Sequence, residues 1–334
     1  MKSILGIIIL IFSVGCGGQS AYEDKVFSST LPKVELPADN PFNAEVVALG
    51  KALFFDAALS KNGEVSCASC HFPVKAFTDM VALGNKGVSK KSLLRHAPTL
   101  VNLAYATNGL FWDGGAKNLE SLVFAPLTHP DEMGADLRDV EEYLKQDSSY
   151  NKTIKSLYDT EDVKAQFAAK AIAQYVRTLV SDQSKYDRVM RAEDSFSEME
   201  AKGYRIFQEN CNACHSEPLL TDNIFHNNGL DGDFTDPSFE YIDSGRYRIT
   251  HDTLDLGKFK TPTLRNISIT APYMHDGRFK TIDEVLNHYD NGINTSTTLD
   301  SLLYQDSKLG LPLSSEKKAQ LKAFLFTLTD FLFL

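Results

Sequence analysis

The chain has 334 residues, which is enough for two domains of ordinary size. With 43% hydrophobic and 23% charged residues, it has the composition of a globular protein with a buried core. Its formal net charge of −10, with no basic stripe to neutralise phosphates, argues against a nucleic-acid partner. The first element is a targeting signal. Lys2 supplies positive charge, residues 4–14 form an apolar run too short to span a bilayer comfortably, and Ser13-Val14-Gly15-Cys16 closes it. This predicts a lipoprotein-type signal peptide over residues 1–15, with Cys16 acylated as the mature N-terminus. An ordinary signal peptide cut nearby, with Cys16 incidental, is the alternative. Gly17-Gly18-Gln19-Ser20 and then Pro32, Pro37 and Pro41 make residues 16–41 a tether and extended linker.

Five cysteines carry the next inference. Apart from Cys16 they form Cys67-Ala68-Ser69-Cys70-His71 and Cys211-Asn212-Ala213-Cys214-His215. A structural zinc site places its cysteine pairs roughly 15–20 residues apart. Here the pairs lie 144 residues apart, and zinc gives no reason for a histidine to follow each pair. An exported chain also argues against a cytosolic thioredoxin-like pair. Covalent haem attachment accounts for every residue: two thiols add to the vinyl groups and the adjacent histidine ligates the iron. The expectation is two c-type haems, held by Cys67, Cys70 and His71 and by Cys211, Cys214 and His215.

The chain also repeats itself. Gly50-Lys51-Ala52-Leu53-Phe54 precedes the first motif, and Gly203-Tyr204-Arg205-Ile206-Phe207 precedes the second. Both lie on helical patterns. Pro98-Thr99-Leu100-Val101-Asn102 and Trp112-Asp113-Gly114 follow the first motif. Pro262-Thr263-Leu264-Arg265-Asn266 and His275-Asp276-Gly277 follow the second. Each half closes on an amphipathic helix, with Phe167, Ala171, Ile172, Tyr175, Val176 and Leu179 on one face and Leu321, Phe324, Leu325 and Leu328 on the other. Ser314 is the expected N-cap of the last helix, with Leu313 as its staple. The fold class is therefore all-α: two tandem cytochrome c-like domains, residues 42–190 and 191–334, each wrapping one haem. The Gly- and Asp-rich stretch 229–257 reads as loop.

The halves differ at one place. Gapless alignment from Gly114 and Gly277 pairs Ala125 with His288 and Pro126 with Tyr289. The second half offers two iron-ligating side chains where the first offers none. If this segment overlies the haem, the first iron is open to a small oxidant and the second is closed and passes electrons.

These motifs resemble the bacterial di-haem cytochrome c peroxidases, including MauG-like enzymes, over about residues 41–334. The resemblance rests on residues 49–56, both haem motifs, Ala97-Pro98-Thr99-Leu100, Phe111-Trp112-Asp113-Gly114, Asp131-Glu132-Met133-Gly134 and Pro272-Tyr273-Met274-His275-Asp276-Gly277. It implies that the N-terminal haem is the peroxide site and that the C-terminal haem receives electrons. Glu132 matches the distal acid–base carboxylate; by position alone it is a solvated loop acid. Trp112 matches the tryptophan between the haems, and a large core residue is the plain alternative. His275 resembles a residue near the second haem. The implied partners are hydrogen peroxide and a small electron donor, a c-type cytochrome or copper protein. The implied setting is the periplasm of a Gram-negative bacterium, with membrane contact only through the lipid on Cys16. A homodimer is compatible.

Three departures from the pattern carry information. Tyr289 stands where many members place a methionine ligand, as it does in MauG-like enzymes; His288 and Met274 are rivals for the same role. A phenolate ligand favours higher oxidation states than a thioether. Residues 78–95 contain no histidine to block the first haem, so that haem reads as permanently open. His96 aligns with an asparagine that helps bind an interdomain calcium, and imidazole is a poor ligand for that hard cation. Leu122 replaces a distal glutamine; His129 reads as a surface histidine; His226 and His251 receive no chemistry. The leading function is peroxide reduction to water. The alternatives are MauG-like oxidation of a protein or small organic substrate, and non-catalytic electron transfer. Glu132 and Pro126 speak against the last.

Overall fold

The computed structural model describes residues 30–82, 87–234, 242–305 and 308–333. The signal segment and Cys16 lie outside the described residues. In chain order the α-helices are α1 (Ala44–Phe54), α2 (Leu119–Thr128), α3 (Leu137–Gln146), α4 (Ser148–Tyr158), α5 (Ala165–Arg177), α6 (Lys185–Met190), α7 (Glu198–Asn210), α8 (Tyr247–Thr250), α9 (Ile282–Asn291) and α10 (Ser315–Phe326). Strand structure among the described residues amounts to two antiparallel two-residue pairs, Phe225–His226 with Phe259–Lys260 and Tyr304–Gln305 with Lys308–Leu309. The chain is mostly helical, in line with an all-α class. The stretch expected to be loop is not wholly irregular. It carries 3-10 turns at Ile242–Ser244 and Thr253–Asp255 and the single-turn α8; Asp252 caps the second of these turns, accepting from Leu254 N at 2.9 Å.

Among the described residues, two large hydrophobic cores form, with a small third cluster of Leu31, Val34 and Tyr105. The first gathers Leu53, Phe54, Leu144, Ile154 and Ile172; the second gathers Phe207, Leu286, Leu321, Phe324 and Leu328. Each fully buried Leu or Phe contributes about 1.5–3 kcal/mol of transfer free energy. Tyr186 lies in the second core, a few residues before the boundary expected from the sequence. A buried bidentate pair explains this: Arg265 donates to both Asp187 oxygens at 2.9 Å and so ties α6 to the second half. The chain end then crosses back, and Phe333 packs edge-on against Phe77 in the first core.

The internal repeat is a repeat of packing. In the first half α1 lies directly on α5, where a Cβ on Gly50 would fall 1.9 Å from the Ala171 carbonyl oxygen. In the second half α7 lies on α10, where a Cβ on Gly203 would fall 2.0 Å from the Gln320 carbonyl oxygen. Only glycine permits backbones to approach so closely. Ser314 caps α10, accepting from Lys317 N, as its sequence predicts. Asn102 and Asn266 share a left-handed φ of 63°. Each clamps the chain leaving the closing helix: Asn102 holds Ser181 N at 2.9 Å and Asn266 holds Asp330 N at 2.8 Å.

The helices carrying the asymmetric position also correspond. Both α2 and α9 have ten residues and start on a capping box, Asn118 with Ser121 and Thr281 with Glu284. Each is preceded by one β-bridge, Leu110 with Ala116 and Tyr273 with Phe279. Pro126 and Tyr289 therefore occupy the same turn of equivalent helices.

The two cores meet across a polar seam. Asp113 sits at its centre, 2.5 Å from Arg95 Nη1 and 3.8 Å from Arg248 Nη1. Arg246 donates to the Asp113 carbonyl at 2.8 Å, and Lys260 N donates to the Trp112 carbonyl at 2.8 Å. His96 N donates to the His275 carbonyl, also at 2.8 Å.

Gly203→Ala should destabilise the second half by about 2–3 kcal/mol, because the added methyl overpacks against a backbone carbonyl that cannot yield. Urea unfolding of the variant measures this, and an unchanged midpoint would refute the close-crossing account.

Candidate haem sites and the cleft between them

Both Cys-x-x-Cys-His motifs fold into a tight turn at the end of a close-packed helix or loop. In the first, Ser66 N is held by Ser69 Oγ at 3.0 Å and His71 N donates to the Cys67 carbonyl at 3.0 Å. Ala76 and Phe77 adopt left-handed backbone, with φ of 49° and 57°. That turn aims the Phe77 carbonyl at His71, whose Nδ1 lies 2.9 Å away. In the second, His215 N donates to the Cys211 carbonyl at 2.9 Å. His215 Nδ1 lies 3.3 Å from the Leu220 carbonyl and 3.2 Å from the Pro262 carbonyl. Leu220 repeats the left-handed φ at 57°.

A carbonyl at Nδ1 places the ring proton there and frees the Nε2 lone pair for a metal. Burial lowers both histidine pKa values, so each ring stays neutral. Burial also pushes the Cys67 and Cys211 thiols up to about 12, and Cys70 equally, with Asp79 and Glu132 adding to the Cys70 effect. Two cysteines plus one neutral, oriented imidazole fit haem c in both halves.

A largely apolar cleft opens on Cys211, Cys214 and His215 and extends to Trp112 at the seam. Tyr289 and Met274 stand on its wall. Burial first, and then Cys214 and Cys211, hold the Tyr289 phenol up at about 12, against an opposing hydrogen bond to Asn228. Met274 Sδ accepts from Asn228 Nδ2 at 3.5 Å. His288, the third candidate ligand, points elsewhere. Its Nε2 lies 3.0 Å from the Asn228 carbonyl, so the ring is spent on backbone. In the first half, the equivalent helical turn presents Pro126, which has no donor atom.

Trp112 and His275 meet at the seam. Trp112 Nε1 donates to the His96 carbonyl at 2.9 Å. The buried His275 ring stacks on Phe259 with centroids 3.8 Å apart, and its Nε2 lies 3.1 Å from Asp243 Oδ1. His96 joins the two through its backbone. Its own ring is buried, with Nε2 3.1 Å from the Asp79 carbonyl. This neutral nitrogen donor, already engaged, does not fit a calcium ion, which takes oxygen ligands.

Glu132 lies in the turn between α2 and α3. Its carbonyl accepts from Val88 N at 2.7 Å, and Gly87 lies so flat on it that a Cβ would come within 2.2 Å. Burial raises its carboxyl pKa, while His129 pulls it down.

The long cleft also brings in residues the sequence did not mark. His226 is flanked by Asp222 Oδ2 at 2.8 Å and Asp300 Oδ2 at 2.6 Å. Cys214, then Asp300 and Asp222, hold the ring up at about 10 against the effect of burial. The spacing of Asp222 and His226 was visible in the sequence, but Asp300 is 74 residues away and gave no signal. Lys260, half-buried beside Trp112, is lowered to about 8 by desolvation. His251 caps α8 with left-handed backbone and joins no cluster described here.

The profile of the di-haem cytochrome c peroxidases matches residues 44–195. The methylamine utilization protein MauG of Methylorubrum extorquens is 36% identical over 303 residues, covering 87% of this chain and 80% of that protein. The cytochrome-c peroxidase IdrP2 of Denitromonas iodatirespirans is 35% identical, covering 88% of this chain and 84% of that protein. Among solved structures, a MauG-like protein associated with microbial copper homeostasis superposes with a TM-score of 0.82 at 31% identity, covering 92% of this chain and 96% of that one. With paired haem-attachment motifs on a duplicated helical framework and relatives matched along most of its length, the chain belongs to the di-haem cytochrome c peroxidase family.

Proposed function

We propose that this enzyme reduces hydrogen peroxide to water with two electrons from a small redox protein, and that its two halves divide the work. The observation that carries the division is the equivalent helical turn of α2 and α9, with Pro126 in one and Tyr289 in the other. In this reading the domains are residues 42–190 and 191–334. His71 Nε2 and His215 Nε2 would ligate the haem irons, and Cys67, Cys70, Cys211 and Cys214 would form the thioethers. When bound, the haem irons would supply the electron-transfer chemistry. The first half has no side-chain donor at Pro126 and would leave its haem accessible to peroxide. In the second, Tyr289 would be the further ligand, with Met274 as the rival and His288 disfavoured by its bond to Asn228.

The balance is H2O2 + 2 H+ + 2 e− → 2 H2O. Glu132 takes the proton from one peroxide oxygen and returns it to the leaving oxygen. Its raised pKa suits both halves of that task, because the group gives and takes a proton closer to neutral pH than an ordinary carboxylate does. Trp112 lies at the seam between the two sites, held by hydrogen bonds at its ring and carbonyl, and offers a fixed aromatic bridge for electrons. His275 positions that seam through its carbonyl. The donor is a c-type cytochrome or copper protein.

The second reading is MauG-like oxidation of a protein or small organic substrate, and Tyr289 favours it. A phenolate cap stabilises oxidised iron and makes the second half a better store of oxidising equivalents. No helix among the described residues is long and apolar enough to cross a membrane. We place the protein in the periplasm, tethered by a lipid on Cys16.

In the ferric protein, electron paramagnetic resonance should show one high-spin and one low-spin haem, and Tyr289→Phe should alter only the low-spin signal. Two low-spin signals would sink the open-site assignment, and an unaltered low-spin signal would exclude tyrosine as the cap. Glu132→Gln should lower peroxide turnover at least about 100-fold with both haems retained. Turnover equal to that of the wild type refutes the acid–base role. Labelled fatty acid should be incorporated by cells expressing the full chain and not by those expressing Cys16→Ala; equal labelling removes the anchor.

A further inference from the structure

We propose that Asn228 selects the further ligand of the second haem, engaging Met274 and His288 and leaving Tyr289 to the iron. This rests on the reading that this wall of the cleft faces the second haem, and it names the positioning residue behind the choice. All three candidate ligands meet Asn228. Its Nδ2 donates to Met274 Sδ at 3.5 Å. Its backbone carbonyl lies 3.0 Å from His288 Nε2. Its side chain also hydrogen-bonds the Tyr289 phenol.

The three contacts leave the candidates unequal. A carbonyl at Nε2 places the His288 ring proton there, so the lone pair lies on Nδ1. That nitrogen faces the end of its own helix, where a Cβ on Gly292 would fall 3.5 Å from it. Met274 has a fixed backbone, with a left-handed φ of 73° and its carbonyl accepting Gly277 N at 3.2 Å. Its freedom lies in the flexible thioether, and the Asn228 amide holds the sulfur. The phenol oxygen of Tyr289 loses nothing by its bond, because an N–H donor favours the anionic form that ligates iron.

Asn228 is itself held in place. Its Oδ1 accepts Leu230 N at 3.3 Å, which turns Nδ2 toward the sulfur. On one side, Asn227 Nδ2 donates to Ser296 Oγ and Thr298 Oγ1, both at 2.9 Å, and the Asn227 carbonyl accepts Asp300 N at 3.0 Å. On the other, the Gly229 carbonyl accepts Asn294 N at 2.8 Å. Gly229 has a left-handed φ of 68° and lies so close to Ile293 that a Cβ would fall 2.3 Å from its Cγ2. The turn is thus pinned on residues 293–300, and the backbone that carries the amide cannot shift without losing these bonds.

The test is spectroscopic and uses the protein with both haems attached. Asn228→Asp keeps the shape, the acceptor for Leu230 N and the carbonyl on His288, and deletes the side-chain N–H groups. Met274 should then replace Tyr289. A thioether–iron charge-transfer band should appear in the ferric spectrum. The preference of the second haem for the ferric state should fall at least tenfold, a rise of about 59 mV in its one-electron potential. An added carboxylate by itself would lower that potential, so the direction of the shift separates ligand exchange from charge. Adding Met274→Leu to the variant should abolish the band. Asn228→Ala, which also keeps the backbone carbonyl, serves if the aspartate variant fails to retain both haems. An unchanged or lowered potential in the haem-retaining variant, or a band that persists without Met274, overturns the selection by Asn228 while Tyr289→Phe still alters the low-spin signal. A low-spin signal unaltered by Tyr289→Phe overturns the underlying reading with it.

Discussion

The close crossing of the first and last helix in each half is the constraint on which the rest depends. Gly50 against Ala171 and Gly203 against Gln320 bring backbones into direct contact. A helix pinned there delivers the following chain to one place, where the turn carrying the two cysteines and the histidine begins. The closing helix is fixed by the same contact, and Asn102 and Asn266 then hold the chain that leaves it. Between these anchors the left-handed turns at Phe77 and Leu220 have one function: each presents a carbonyl to a histidine Nδ1. Fixing that proton frees Nε2, and so the metal-binding face of each ring follows from packing well away from it.

On this shared framework a single helical turn separates the two sites. Pro126 brings no donor atom; Tyr289 brings a phenol whose burial keeps it protonated until a metal or base claims the proton. His288, next to it, is removed from competition by the Asn228 carbonyl. The polar seam supplies the second distinction. Asp113, gripped by Arg95 and approached by Arg248, sits next to Trp112 and holds the aromatic ring where both halves reach it. A buried carboxylate costs desolvation, and paired guanidinium groups offset it. His96 links Trp112 to His275 through its own backbone carbonyl and N–H.

The turn between α2 and α3 adds a third arrangement. Glu132 is fixed by its backbone, its N–H donating to the His129 carbonyl and its carbonyl accepting from Val88 N.

Much of this was legible in the sequence, for local reasons. Haem attachment depends on residues adjacent in the chain, so two Cys-x-x-Cys-His motifs named their chemistry unaided. Helix faces follow a period of about 3.6 residues, so the core residues of α5 and α10 could be read off directly. The connectors from Gly114 to α2 and from Gly277 to α9 have the same length, so the pairing of Pro126 with Tyr289 survived folding. What tertiary structure alone decided are the partners chosen when distant segments return. Asp300 reaches His226, Arg246 and Arg248 reach the Asp113 segment, and Asn228 claims His288. No periodicity encodes such meetings, because they depend on where loops of irregular backbone run. Sequence thus determined the local motifs and helix faces, because these depend on residues near one another in the chain, and the three-dimensional path of the chain determined which side chains face one another.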